Sequence, residues 1–234
     1  MLFDQRKIMV VAAHPDDEVL GVGATIHRMV HEWGCQVHVV ILGEGLTARV
    51  DRDDRSAQAS NLASHRDCIE QARHRLGYQS VGIHAFPDNR FDSVDLLDLI
   101  KTVEAEKHRF TPDYVFTHHA GDLNVDHRKT FEAVLTATRP LPGETVKGLF
   151  SFETFSATEW AFGLPESVFR PDMFIAVTNE NLEAKQEAME RYVFERRDYP
   201  HPRSARALEI FARAHGSRCG AELVEAFETV RLMM

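Results

Sequence analysis

Apolar residues along this chain gather in two alternating kinds of run. Lys7–Ala13 (KIMVVAA) and Val37–Leu42 (VHVVIL) are short, rich in β-branched residues and apolar almost throughout, as strands buried on both faces are. Ser80–Phe86 and Asp113–Thr117 (DYVFT) continue the series. Between them, apolar positions recur at helical spacing over Val19–Trp33, Gln58–Leu76, Val94–His108 and Val125–Thr138, with Gly34 and Gly77 as stops. This alternation predicts βαβ units: an α/β protein whose mostly parallel sheet is flanked by helices on both faces. The polar stretch Gly43–Ser56 reads as a loop.

The second half is less regular. Two prolines make Arg139–Gly143 (RPLPG) a loop, Val146–Phe155 and Met173–Val177 read as strands, and Asn181–Phe194 and Ser204–His215 read as helices. Asp198–Arg203 (DYPHPR) is irregular, and Gly216–Gly220 reads as a turn before a last apolar run. Without a repeat, low-complexity tract or linker, residues 1–234 read as one domain.

Composition narrows the function without naming it. A net charge of −9 over 234 residues argues against general affinity for nucleic acid or anionic membrane. No apolar run approaches the roughly 20 residues of a membrane span. The start, MLFDQRKIMVVAAHPDD, lacks the small-residue cleavage site of a signal peptide. Three scattered cysteines, Cys35, Cys68 and Cys219, fit reduced thiols and predict a cytoplasmic location.

Ligands of open parallel sheets bind at the loops beyond the carboxyl ends of the strands. Two such loops are crowded with metal-binding side chains. His14-Pro15-Asp16-Asp17-Glu18 follows the first strand, and His118-His119-Ala120-Gly121-Asp122-Leu123-Asn124-Val125-Asp126-His127-Arg128 follows the fourth. The competing explanation is structural, with Asp16 or Asp17 capping the next helix and Asp126 and His127 as solvated helix-start residues. Two clusters opening at the same sheet end argue against it. Two imidazoles and one carboxylate leave a coordination position free, as catalytic zinc sites do. His14 and Asp17 around one turn, completed by a distant His, would make such a set, with Asp16 left to act as a base.

AAHPDDEVLGVGATI resembles the AHPDDE signature of the PIG-L (LmbE-like) zinc deacetylases, and DLNVDHR resembles their second motif. Arg66 with Glu70 before Leu76-Gly77, Phe86-Pro87-Asp88, His201-Pro202-Arg203-Ser204, and Ala226-Phe227 with Arg231 resemble further family segments. The resemblance implies a Rossmann-like fold, with His14, Asp17 and His127 as metal ligands and Asp16 as general base. It implies Zn2+, although Fe2+, Co2+ or Mn2+ could occupy the same ligands. The implied partner is a small N-acetylated amino sugar, free, as a glycoside or nucleotide-linked, from which acetyl is removed; relatives commonly form homo-oligomers.

One position departs from the family pattern. Where well-known relatives carry a histidine that polarises the scissile carbonyl, this chain has Asn124. Its amide can donate to an oxyanion, or His118 or His119 can supply an imidazole instead. Asp126 then orients a neighbour. Arg66, Asp88, His119 and Arg203 are candidate substrate contacts, with Glu44 and Arg49 weaker. Phe150, Phe152, Phe155, Trp160 and Phe162 either line a sugar pocket or fill the core.

Three rival functions fit parts of the pattern. Gly21-x-Gly23 suggests dinucleotide binding, but the acidic HPDDE loop would repel a pyrophosphate. Two histidines and a carboxylate equally suit a non-haem Fe(II) oxygenase. A metal- or sugar-binding protein that has lost the chemistry is the third, motivated by Asn124.

Overall fold

A computed structural model describes residues 2–45, 55–162 and 168–233. The chain runs through β1 (Lys7–Ala12), α1 (Asp17–His31), β2 (Gln36–Gly43), α2 (Arg55–Leu76), β3 (Ser80–Phe86), α3 (Leu96–Phe110), β4 (Tyr114–His118) and α4 (Val125–Ala137). It continues through β5 (Gly148–Phe152), β6 (Met173–Ala176), α5 (Asn179–Arg191), α6 (Ala205–Cys219) and β7 (Val224–Leu232). The strands form one seven-stranded sheet in the order β3-β2-β1-β4-β5-β7-β6. The first five run parallel, and β7 lies antiparallel to both β5 and β6.

Alternation along the central strands explains why their sequences are apolar throughout. Ile8 and Val10 face a core shared with Val22, Ile26, Ile69, Leu76, Phe116 and Phe150. Met9 and Val11 face the other core, with Leu99, Val103, Val115, Ala133 and Val134. Successive side chains point to opposite sheet faces, so a strand covered by helices on both sides must be apolar at every position.

The glycine of the supposed dinucleotide motif has a packing role. A Cβ on Gly21 would lie 2.1 Å from the Phe152 ring, so α1 can approach β5 only with glycine there. Behind it, the buried Lys185 ammonium donates to the Leu20 carbonyl and the Glu225 carboxylate, and Glu225 also accepts the Ala24 and Thr25 amides. The second half of the chain thus grips α1 through α5 and β7.

Several elements differ from their predicted bounds. Helix α6 runs through Gly216 to Cys219, where a turn was expected. A Cβ on Gly216 would meet the Ala221 carbonyl oxygen at 2.5 Å, so this glycine makes room for the returning chain inside the helix, and Gly220 (φ 76°) ends it. Strand β5 ends at Phe152 instead of Phe155, and α5 ends at Arg191 instead of Phe194. Of the five aromatics, Phe150, Phe152 and Phe155 belong to the core, while Trp160 and Phe162 are exposed. Arg49 and most of the predicted Gly43–Ser56 loop lie outside the described residues.

Candidate metal centre

The crevice between β1 and β4 is where the sheet order reverses: from β1 the chain winds outward to β2 and β3, then returns to pair β4 on the other side. Both acidic, histidine-rich loops leave the sheet there, at the carboxyl ends of adjacent parallel strands. Pro15 disfavours a helical conformation at His14. Asp16 adopts a left-handed backbone (φ 106°), and α1 begins at Asp17.

The structural alternative for these carboxylates does not hold. The Asp16 side chain makes no cap hydrogen bond to α1. Asp17 Oδ2 turns back to accept the His14 amide at 2.8 Å. Asp126 is fully buried, its Oδ1 accepting the Phe91 amide (2.8 Å) and its Oδ2 the Asn89 amide (2.6 Å). The cap of α4 is Asn124, whose Oδ1 accepts the Asp126 amide at 2.8 Å. Its Nδ2 remains as a donor.

His14, Asp17 and His127 offer ligand atoms within 4.8 Å of one another. Asp17 Oδ2 lies 3.4 Å from His14 Nδ1 and 3.3 Å from His127 Nε2. A tetrahedral ion with bonds of about 2.0–2.1 Å separates its ligand atoms by about 3.3–3.4 Å, so these spacings fit such an ion. His14 Nε2 meets Asp126 Oδ2 at 2.9 Å and Asp88 Oδ1 at 3.2 Å. With its proton on that side, the His14 Nδ1 lone pair faces Asp17 and His127. Among the described residues neither nitrogen of His127 makes an aligned hydrogen bond, although Asp122 Oδ1 stands 3.1 Å from Nδ1. A buried imidazole with unused nitrogens beside carboxylates suits a cation. Asp88 and Asp126 form a second acidic group around His14, but the backbone amides on both Asp126 oxygens make it a support.

The charges are strongly coupled. Burial works against protonating His127, but the charges of Asp17 and Asp122 outweigh it and raise its pKa to about 9. Burial opposes a proton on His14 too, yet hydrogen bonds to Asp126, Asp17 and Asp88 raise its pKa well above the usual value. Asp17 is driven well below the carboxylate range: burial resists this, and His127 and His118 overcome it. Burial pushes Asp16 well above its ordinary range, and the opposing charge of Arg203 does not cancel that. Protons on the histidines thus balance negative charge that a divalent cation would balance in their place.

His118 is spent on structure. Its Nε2 accepts the Ala13 amide at 2.9 Å and its Nδ1 meets Thr154 Oγ1 at 2.9 Å. Burial and the positive charge on His127, which it stacks at 4.0 Å between ring centroids, push its pKa down to about 4. His119 turns to β7, where Glu228 holds its Nδ1 at 2.7 Å. Asp88 joins the cluster, and Arg203 reaches it by donating to Asp16 Oδ2 at 2.8 Å. Arg66 is exposed on α2 and makes no contact with the cluster among the described residues. Glu44 sits at the end of β2, its amide donating to the Phe86 carbonyl.

Four further residues complete the site. Glu18, fully buried, accepts the Asp16 amide at 3.1 Å and the Tyr192 hydroxyl at 2.5 Å. Burial raises its pKa to about 7, against the hydrogen bond from Tyr192. Asp122 places Oδ1 3.1 Å from His127 Nδ1 and accepts the Thr158 hydroxyl on Oδ2 at 2.5 Å. Glu195 shares Arg203 Nη1 with Asp16, at 2.6 Å. The Glu of HPDDE and the Asp of the second loop stood in plain view in the sequence. Nothing there pointed to Tyr192 or Glu195.

The sheet order and the cluster at its reversal point define an α/β protein with a candidate metal centre at a topological switch point. The conserved protein TT1542 from Thermus thermophilus superposes with a TM-score of 0.75 at 20% identity, covering 98% of this chain and 96% of that one. N,N'-diacetylchitobiose deacetylase from Pyrococcus horikoshii, in complex with its inhibitor MPG, gives 0.75 at 18% identity, covering 97% and 84%. The uncharacterized deacetylase YaiS of Escherichia coli (strain K12) is 25% identical over 193 residues, 80% of this chain and 91% of YaiS. The family model of PIG-L, GlcNAc-PI de-N-acetylase, matches residues 9–138. The chain belongs to the PIG-L family of deacetylases. No helix among the described residues is long and apolar enough to cross a membrane.

Proposed function

We propose that this chain is a divalent-metal-dependent N-deacetylase that removes acetyl from an N-acetylated amino sugar. The observation that carries the reading is the convergence of His14 Nδ1, Asp17 Oδ2 and His127 Nε2 at ion-binding spacing, with no aligned hydrogen bond to either nitrogen of His127 among the described residues. Zn2+ suits these ligands, and when bound it supplies Lewis-acid chemistry, making a water acidic near neutral pH and polarising a carbonyl.

The chain's own groups do the rest. Asp16, beside the ligands and with an affinity for protons raised by burial, accepts the proton of the attacking water and returns it to the departing amine. Asn124 Nδ2, left over once Oδ1 has capped α4, donates to the oxyanion that forms at the acetyl carbonyl. Asp126 holds His14 and also ties down Asn89 and Phe91 beside it. The P. horikoshii neighbour is a diacetylchitobiose deacetylase, which supports an amino-sugar substrate here. Three free cysteines suit a reducing, cytoplasmic compartment.

Acetate release from a panel of N-acetyl sugars tests the reading. Zinc-loaded protein should release acetate from at least one, and the same protein stripped by chelator should not. Equal release with and without metal, or release from none of the panel, would contradict it.

A further inference from the structure

Two residues linked to the candidate ion site keep backbones that residues other than glycine rarely adopt. Asp16 has φ 106° and Ser156 has φ 72°. Such conformations persist only where the surrounding contacts over-determine them. One side chain joins the two. Arg203 Nη1 donates to Asp16 Oδ2 at 2.8 Å, and its Nε donates to Ser156 Oγ at 2.7 Å.

Arg203 is itself fixed. Glu195 Oε2 accepts from the same Nη1 at 2.6 Å. The Arg203 amide donates to His201 Nδ1 at 3.2 Å, and the next residue, Ser204, caps α6. Glu159 accepts the Ser156 amide at 2.7 Å, which anchors the other end of the bridge. A cation anywhere near a buried carboxylate offsets its charge. Bonds from fixed guanidinium nitrogens to two strained residues also set a direction.

Asp16 is held at its main chain too. Its amide donates to Glu18 Oε2 at 3.1 Å, and the Tyr192 hydroxyl fixes Glu18. Tyr192 and Glu195 share one turn just past α5, where the Glu195 amide donates to the Tyr192 carbonyl at 2.9 Å. That turn grips Asp16 twice, through Glu18 at the backbone and through Arg203 at the carboxylate. With Oδ2 tied to Arg203, Oδ1 is the oxygen left for the attacking water.

We infer that Arg203, steadied by Glu195 and Ser156, is a positioning residue that locks the orientation of Asp16. Its role is toward the proposed base, where the sequence suggested contact with substrate. The inference rests on the deacetylase reading for the step that Asp16 serves, but the orientation of Asp16 is observable without turnover.

Two variants separate geometry from charge. Arg203→Lys keeps the positive charge and gives up the planar fork that reaches Asp16 and Ser156 together. Glu195→Gln keeps an acceptor for Nη1 and gives up the negative charge. The experiment combines crystal structures, zinc content and acetate-release kinetics of both variants beside the wild type. In Arg203→Lys the Asp16 carboxylate should turn from its wild-type direction, and kcat should fall about 10–100-fold with KM within about twofold. In Glu195→Gln the carboxylate should stay in place and most of the rate should remain. Both variants should hold as much zinc as the wild type. Should Arg203→Lys fail to fold, Glu195→Ala replaces it, because it frees the guanidinium on one side and should displace Asp16 likewise. An Asp16 that keeps its direction in Arg203→Lys, full activity there, equal losses in the two variants, or loss of zinc from either would overturn the positioning role. Displacement of Asp16 in a protein that releases acetate from no N-acetyl sugar would keep the lock and contradict the deacetylase. Turnover by the wild type with Asp16 unmoved in Arg203→Lys would do the reverse.

Discussion

The region matched by the family model, residues 9–138, and the remainder of the chain contribute to the site in different ways. All three proposed ion ligands and Asp16 come from the matched region. The remainder supplies a hydrogen-bonding partner to one group after another: Thr154 to His118, Thr158 to Asp122, Tyr192 to Glu18 and Arg203 to Asp16. The first region carries reactive groups on two strand ends. The second surrounds those groups with hydrogen-bonding partners. The groups proposed for the chemistry therefore stand at the parallel half of the sheet, and hydrogen bonds reach them from the half that ends antiparallel.

Substitutions can break or sharpen this division. The largest effect short of metal loss is expected at Asp16. Asp16→Asn keeps a side chain that tolerates the left-handed backbone but cannot serve as a base, so kcat should drop by about 10²–10⁴ with metal content unchanged. Near-full activity would remove Asp16 from the chemistry. Next comes Asn124→Asp, which preserves the α4 cap and deletes the amide donor. An unchanged melting temperature with a rate lower by about 10²–10³ would separate the cap from the oxyanion role; an unchanged rate would leave Asn124 a cap alone.

A supporting residue should behave differently. Tyr192→Phe leaves Glu18 Oε1 buried without its donor, which costs about 1–3 kcal/mol of stability. Denaturant unfolding should register that loss while metal stoichiometry stays the same. Metal loss in this variant would mean that the second half holds the ion site together and would erase the division.

The smallest effect lies far from the site. Burial holds the His38 pKa below its usual value, against the raising effect of its hydrogen bond to Glu106 at 3.1 Å. The unfolded chain takes up this proton near pH 6.5, the folded protein only at lower pH. Stability from this group is therefore complete above about pH 6.5 and declines as pH falls through the folded value, by at most about 1.4 kcal/mol per pH unit. Comparing wild type with His38→Gln at pH 7.5 and 5.5 isolates it: the variant should lose less stability on acidification.

The two regions also differ in how far their sequences can be read. β1, β2 and β4 were legible because burial on both faces demands unbroken apolar runs, and the loops after β1 and β4 spelled out His14, Asp17 and His127 in order. Gly216 misled because its reason lies in a carbonyl five residues further on, which only the folded chain brings near. Trp160 and Phe152 look alike in sequence, yet one is exposed and the other forbids a side chain on Gly21. The supporting contacts were illegible for the same reason: Tyr192 meets Glu18 across 174 residues, and a single tyrosine after a helix carries no pattern.

The most direct test of the ion site is metal content after zinc loading and dialysis, measured by elemental analysis on wild type and His127→Ala together. The account predicts about one zinc per chain in the wild type and its loss in the variant, because His127 contributes one of only three protein ligands. A wild type that retains no zinc, or a variant that retains a full equivalent, would contradict it.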